Sequence, residues 1–162
     1  MEFFQWEMVS IIAGIPLVVG ILKLGFKLFN EELELKKALL IAIINFPIFL
    51  LARILAPFTG FHTLITHINL IILSVFLLKY DFYKSAIATL SAKIIIVPLE
   101  SFIVVLFSII FDISTSEEII DTYFVIPMNI LLILLIWVLY ATIDYYKFYV
   151  MNINDLSLFR EK

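Results

Sequence analysis

Apolar residues run along this chain in long, nearly unbroken blocks, with neither the three-to-four spacing of an amphipathic helix nor the alternation of a half-buried strand. Each of five blocks approaches the roughly 20 residues that a helix needs to cross a bilayer: Met8–Phe29, Ala38–Ala56, Phe61–Leu78, Ser85–Phe111 and Ile119–Tyr146. Between them lie Asn30–Lys37, rich in Glu and Lys, the Pro57–Gly60 turn, the basic stretch Lys79–Lys84 and the acidic Asp112–Glu118. Connections this short make successive helices antiparallel neighbours. The pattern predicts an all-α, polytopic transmembrane bundle of five spans over residues 1–147, followed by a short cytoplasmic tail over 148–162. No internal repeat is visible, and an odd number of spans argues against paired inverted repeats.

The basic residues give the bundle a direction, because Lys and Arg collect in short cytoplasmic loops. Lys36 and Lys37 follow the first block, Lys79 and Lys84 the third, and Lys147, Arg160 and Lys162 the fifth. Lys23 and Lys27, at the exit of the first block, are expected to snorkel to the same side. The N-terminal segment, the Pro57–Gly60 turn and Asp112–Glu118 contain no Lys or Arg. This alternation predicts a multi-pass protein of the cell membrane, N-terminus outside and C-terminus inside, and an even number of spans would break it. Trp6, Tyr80, Tyr83, Tyr140, Tyr145 and Tyr146 fall near the proposed ends, where amphipathic rings settle at the headgroups. Pro16, Pro47, Pro98 and Pro127 lie inside spans, where lipid-embedded helices tolerate them. The first block lacks the basic flank and cleavage site of a signal peptide and is expected to be retained. The tail is expected to continue the fifth helix briefly and then fray.

Composition narrows the function classes. The 162 residues are 64% hydrophobic and 15% charged, with a mean hydropathy of +1.13, so the excess apolar surface must face lipid. The absence of cysteine excludes disulfides, thiolate metal sites and thiol nucleophiles. A net charge of -3 with no basic stripe makes nucleic acid a poor partner. No H-E-x-x-H, G-x-S-x-G or Walker loop occurs, and the expectation is a protein without enzymatic activity or cofactor. With four glycines, small-xxx-small packing is not expected.

Charged residues inside spans are costly and call for a partner or a function. Arg53, Lys93 and Glu100 qualify. Lys93 and Glu100, seven apart, share a face of the fourth helix, but about 10 Å of rise is expected to keep them from bonding directly. With each span centred on the midplane, Glu100 and His67 fall a few Å outward of it, Arg53 and His62 roughly 10 Å outward, and Lys93 on the cytoplasmic side. His62, Thr63, Thr66, His67, Asn69 and Ser74 form one polar arc on the third helix, which should face inward. These positions predict a polar cluster in the outer half of the bundle from Arg53, His62, Thr66, His67 and Glu100, with Asn129 of the fifth helix at a compatible depth. Two readings stay open: a pocket for a small solute or signal, or a buried Arg53–Glu100 ion pair with interhelical hydrogen bonds that fix packing. His62 also suits a simple interfacial residue. A metal site from His62, His67 and Glu100 is disfavoured, because a five-residue spacing does not bring two imidazoles onto one helix face. Glu31, Glu32 and Glu34 with Lys36 and Lys37 read as a solvated turn.

The stretch Leu51-Ala52-Arg53-Ile54-Leu55-Ala56-Pro57-Phe58-Thr59-Gly60-Phe61-His62-Thr63-Leu64-Ile65 resembles a segment of small membrane proteins and membrane-embedded sensor regions associated with accessory-gene-regulator-type histidine kinases of anaerobic Firmicutes. The shared features are an Arg closing one span, a Pro-Phe-Gly-like turn and a His-Thr pair opening the next. The resemblance implies a stand-alone input module whose output domains lie on another chain. The expectation is therefore a sensor or accessory module that binds a small ligand or partner protein in the outer half of the bundle. Its signal would pass through the fourth and fifth helices to a cytoplasmic signalling partner, or through a homo-oligomer. The substrate-binding membrane subunit of a solute importer and a structural subunit of a membrane complex are the alternatives.

Overall fold

Each apolar block forms a helix: α1 (Glu2–Leu28), α2 (Leu35–Leu55), α3 (Phe61–Leu78), α4 (Phe82–Phe111) and α5 (Thr122–Tyr146). A computed structural model describes residues 2–55, 61–111 and 122–151, with side chains except at 2–12, 53, 54, 61, 62 and 122–125. The described residues contain no strand. Three helices carry stretches long and apolar enough to cross a membrane: Leu35–Ala52 of α2, Phe82–Phe111 of α4 and Ile126–Tyr146 of α5. Thr63–Leu78 of α3 is a shorter apolar helix. The Pro57–Gly60 turn, the acidic loop and the last eleven residues lie outside the described residues.

The packing order is set by α1. It contacts α2, α4 and α5, while α2 packs on α3, α3 on α4, and α4 on α5. Val19, Ile21, Leu22, Leu24, Phe26, Leu28 and Phe29 of the α1 segment are all buried, although together they spread over more than half of the helix circumference. A helix that is apolar all round belongs either in lipid or in the middle of a protein, and α1 takes the middle. The lipid-like surface belongs to the outer helices, where Ile43, Leu51, Leu64, Phe76, Ile94, Phe102, Ile109, Leu134 and Val138 are exposed. Side chains of this kind facing outward on four helices match a hydrocarbon solvent rather than water.

Gly25 brings α1 close to α4. A Cβ at this position would be driven into the Ala88 carbonyl and lie 3.2 Å from the Ala92 Cβ. The facing surface of α4 is built from Ser85, Ala88, Thr89 and Ala92, all buried. This overturns the expectation that small-residue packing is missing: alanine and serine supply what a count of glycines overlooks.

The ends of α1, α3 and α5 lie at one end of the bundle and share a device. Asn30, Lys79 and Lys147 each adopt a positive φ, of 57°, 58° and 54°, just past the helix. At α1, Glu31 N–H bonds to Phe26 O at 3.0 Å and Asn30 N–H to Lys27 O at 3.0 Å. These two bonds satisfy the last carbonyls in a Schellman arrangement, with asparagine where glycine is commonest. At α5, Phe148 N–H closes the same loop on Ile143 O at 3.2 Å.

The same end corrects three expectations. Lys27 does not snorkel to solvent: its side chain is 8% exposed and its Nζ lies 2.5 Å from Asp144 Oδ1 of α5. Lys23 Nζ donates to Leu33 O at 3.1 Å and sits 5.0 Å from the Tyr140 ring centre. The 30–37 turn is only partly solvated, because Leu33 is buried and Tyr80 donates to Glu31 Oε1 at 2.6 Å while its ring stacks on Phe26. Burial, reinforced by that carboxylate, raises the Tyr80 phenol above its ordinary 10.0. Finally, the chain does not extend α5 beyond Tyr146 but turns back, and Val150 N–H bonds to Leu28 O at 2.8 Å.

Candidate functional site

A cavity of about 250 Å³ opens between α1, α2, α3 and α4, where Gly14 to Ile21, Ala42 to Phe49, Thr63 to Leu70 and Lys93 to Glu100 face one another. Its apolar wall includes Ile15, Val18, Phe46, Phe49 and Ile96, and its polar groups come from Asn45, Thr63, Thr66, His67, Lys93 and Glu100. At about 30 Å³ per water, the space equals roughly eight waters. That suits a small solute better than a drug-sized one.

The α3 arc turns inward as its spacing requires. Thr66, His67 and Ser74 are buried, and Asn69 Nδ2 donates to Asn45 Oδ1 at 2.7 Å, tying α3 to α2. The His67 side chain is fixed from behind, with Nδ1 2.7 Å from Thr63 O. A carbonyl has no proton to give, so Nδ1 carries the hydrogen, and Nε2 of the neutral ring is a bare acceptor. Nε2 is buried with no hydrogen-bond partner among the described residues. An unsatisfied buried polar atom costs about 1–3 kcal/mol, and here the residue lines a space large enough to hold what would satisfy it.

The α4 charges supply the other half. Lys93 Nζ lies 3.9 Å from Glu100 Oε2, with the two side chains 22% and 54% exposed. This corrects the expectation that the pair cannot meet: the rise between the backbones is two turns, but the long lysine and glutamate side chains lean toward each other and span it. At this distance the charges attract without a hydrogen bond, since such bonds end near 3.2 Å. Both heads therefore keep hydrogen-bonding capacity for a third group.

Of the seven residues singled out from the sequence, Thr66, His67, Lys93 and Glu100 line the cavity. Arg53 occupies α2 one turn beyond Phe49 and His62 the first turn of α3, and both side chains lie outside those described. Asn129 is half-buried on α5, which contributes none of the described lining residues. The main contacts of α5 are with α1 and α4. Asn45 is a lining residue not singled out from the sequence; the signal it carries is a lone amide in the apolar run Ile43-Ile44-Asn45-Phe46. Among the described residues, no three His, Cys, Asp or Glu side chains gather as metal ligands. Comparison of the chain with protein-family models, curated proteins and solved structures finds no match in any of the three.

Proposed function

We propose that this chain is a five-span protein of the cell membrane, N-terminus outside and C-terminus in the cytoplasm, that binds a small solute in its interhelical cavity and reports occupancy to a cytoplasmic partner. The observation that carries the reading is the His67 Nε2 acceptor, buried without a partner among the described residues, on a side chain that lines the cavity. A histidine retained for packing alone would be expected to have both nitrogens satisfied. The described polar groups of the lining can hold a solute by hydrogen bonds and charge, which is the basis for reading the cavity as a binding site.

The sensory part of the reading rests on α1. Gly14 to Ile21 wall the cavity, and the same helix carries Lys27, paired with Asp144, and Leu28, bonded to Val150 of the returning tail. A solute that shifts α1 against α4 acts directly on the C-terminal segment, so α1 is a shorter route than α4 and α5. The likeness of Leu51–Ile65 to sensor regions of accessory-gene-regulator-type kinases points the same way.

The cysteine-free chain makes the topology straightforward to test. Ser116→Cys should react with a membrane-impermeant maleimide on intact cells, and Lys36→Cys only after permeabilisation; the opposite pattern refutes the orientation. For the cavity, Val18→Phe fills space without touching a polar group. The variant should stay folded yet lose the thermal stabilisation that small solutes give the purified protein. Undiminished stabilisation would place binding elsewhere.

A further inference from the structure

We propose that the cavity takes a small zwitterion with an apolar body, of the α-amino-acid class, an inference that rests on the solute-binding reading above. Three observations define this ligand. First, two residues that line the space carry acceptors: His67, whose buried Nε2 lone pair is set by the Nδ1 contact to Thr63 O, and Glu100 with its carboxylate. Together they call for a group with several N–H donors, as an ammonium has. Second, Lys93 lies 3.9 Å from Glu100, attracting it without a hydrogen bond, so its ammonium is available to an anionic group beside the ligand's cationic one. An amino acid carries both charges on a single carbon and can join the loose pair into a closed ring of charge-assisted contacts.

Third, the described lining carries one cation, one anion and a neutral imidazole, hence no net charge. A solute with net charge would leave one wall charge uncompensated in a low-dielectric interior, whereas a zwitterion leaves none. Beside Asn45, Thr63 and Thr66, the remaining wall is apolar, with Ile15, Val18, Phe46, Phe49 and Ile96 offering aliphatic and aromatic surface to a side chain. The cavity size is in keeping with a branched aliphatic side chain.

The test compares L-leucine with its two fragments on the detergent-purified full chain by titration calorimetry. 3-Methylbutylamine keeps the ammonium and side chain, and 4-methylpentanoate keeps the carboxylate and side chain. Leucine should bind about tenfold or more tightly than either, since each lost charge-assisted contact is worth at least that factor. Lys93→Gln should erode the preference over the amine, and Glu100→Gln the preference over the carboxylate. A fragment that matches leucine overturns the zwitterion assignment while leaving a solute-binding cavity in place. Binding by sugars or polyols, with silence from all the common amino acids, overturns it in the same way. Silence from every solute class, with the protein folded, overturns both the assignment and the binding reading beneath it.

Discussion

Gly25→Ala should cost the protein about 3 kcal/mol, the upper end of what overpacking a well-filled interior usually costs. The added methyl is driven into the Ala88 backbone carbonyl and lies 2.9 Å from the Ala88 carbonyl carbon. A backbone carbonyl in a helix cannot swing aside, so α1 and α4 must separate and lose their close contact. Gly20→Ala provides an internal comparison. Its Cβ would meet the Ile136 Cγ2 methyl at 2.9 Å, a side-chain atom held by a stiff β-branched χ1 but still easier to displace than a helix carbonyl, and the expected cost is about 1–2 kcal/mol. Gly14 has nothing within 4 Å of the same position, and Gly14→Ala should be neutral or stabilising by up to about 1 kcal/mol through helix propensity. Melting temperatures of the purified variants should therefore rank Gly14→Ala highest and Gly25→Ala lowest. Equal losses at positions 14 and 25 would contradict the α1–α4 packing.

Asp144→Asn is expected to be nearly as damaging, because it leaves the largely covered Lys27 ammonium without its nearest counter-charge. The Lys27 side chain is 8% exposed, and Asp144 Oδ1 at 2.5 Å is its counter-charge. Removing the other partner should be much milder. In Lys27→Met, the stem volume is kept, while Asp144, 45% exposed and 3.7 Å from Lys147, retains both solvent and a second cation. A loss of about 1 kcal/mol is expected for that variant, near the value of an exposed pair. The double variant should recover most of what Asp144→Asn loses, since no uncompensated charge remains. Denaturation of the four proteins side by side checks both the asymmetry and the recovery.

The helices themselves were legible, because spans in a membrane leave few alternatives to unbroken apolar helices. The α3 range agrees with the sequence reading at both ends, and α4 begins three residues earlier, where Asp81 sits at the N-cap and its carbonyl accepts Ser85 N–H at 3.0 Å. The identity of the central helix was not legible. The blocks are so largely apolar that even the polar arc of α3 does not say which one packs in the middle, and the burial of α1 follows only from the whole assembly.

Within the site, polar residues at helical spacing were informative, and depth alone was not. Thr66 and His67 turned inward with their arc. Asn129, expected at their depth, lies on a helix that packs chiefly on α1 and α4, since depth fixes one coordinate and says nothing of direction around the bundle. The Lys93–Glu100 pair was missed by measuring backbone rise without side-chain reach. The Lys27–Asp144 pair was missed because it joins the first helix to the last, a neighbourhood that loop lengths cannot reveal.

The most direct test of the central claim, that the polar cavity is a binding site rather than a packing device, is the thermal stability of Lys93→Gln, Glu100→Gln and the double variant, with and without added solutes. The two heads are 3.9 Å apart, beyond hydrogen-bonding distance, so no direct bond between them holds the bundle, and each single variant should melt close to the parent. Each should nonetheless lose the stabilisation that a bound solute confers. If instead both single variants melt far below the parent and the double variant recovers, the pair exists to hold the bundle together, and the cavity is not the site proposed for it.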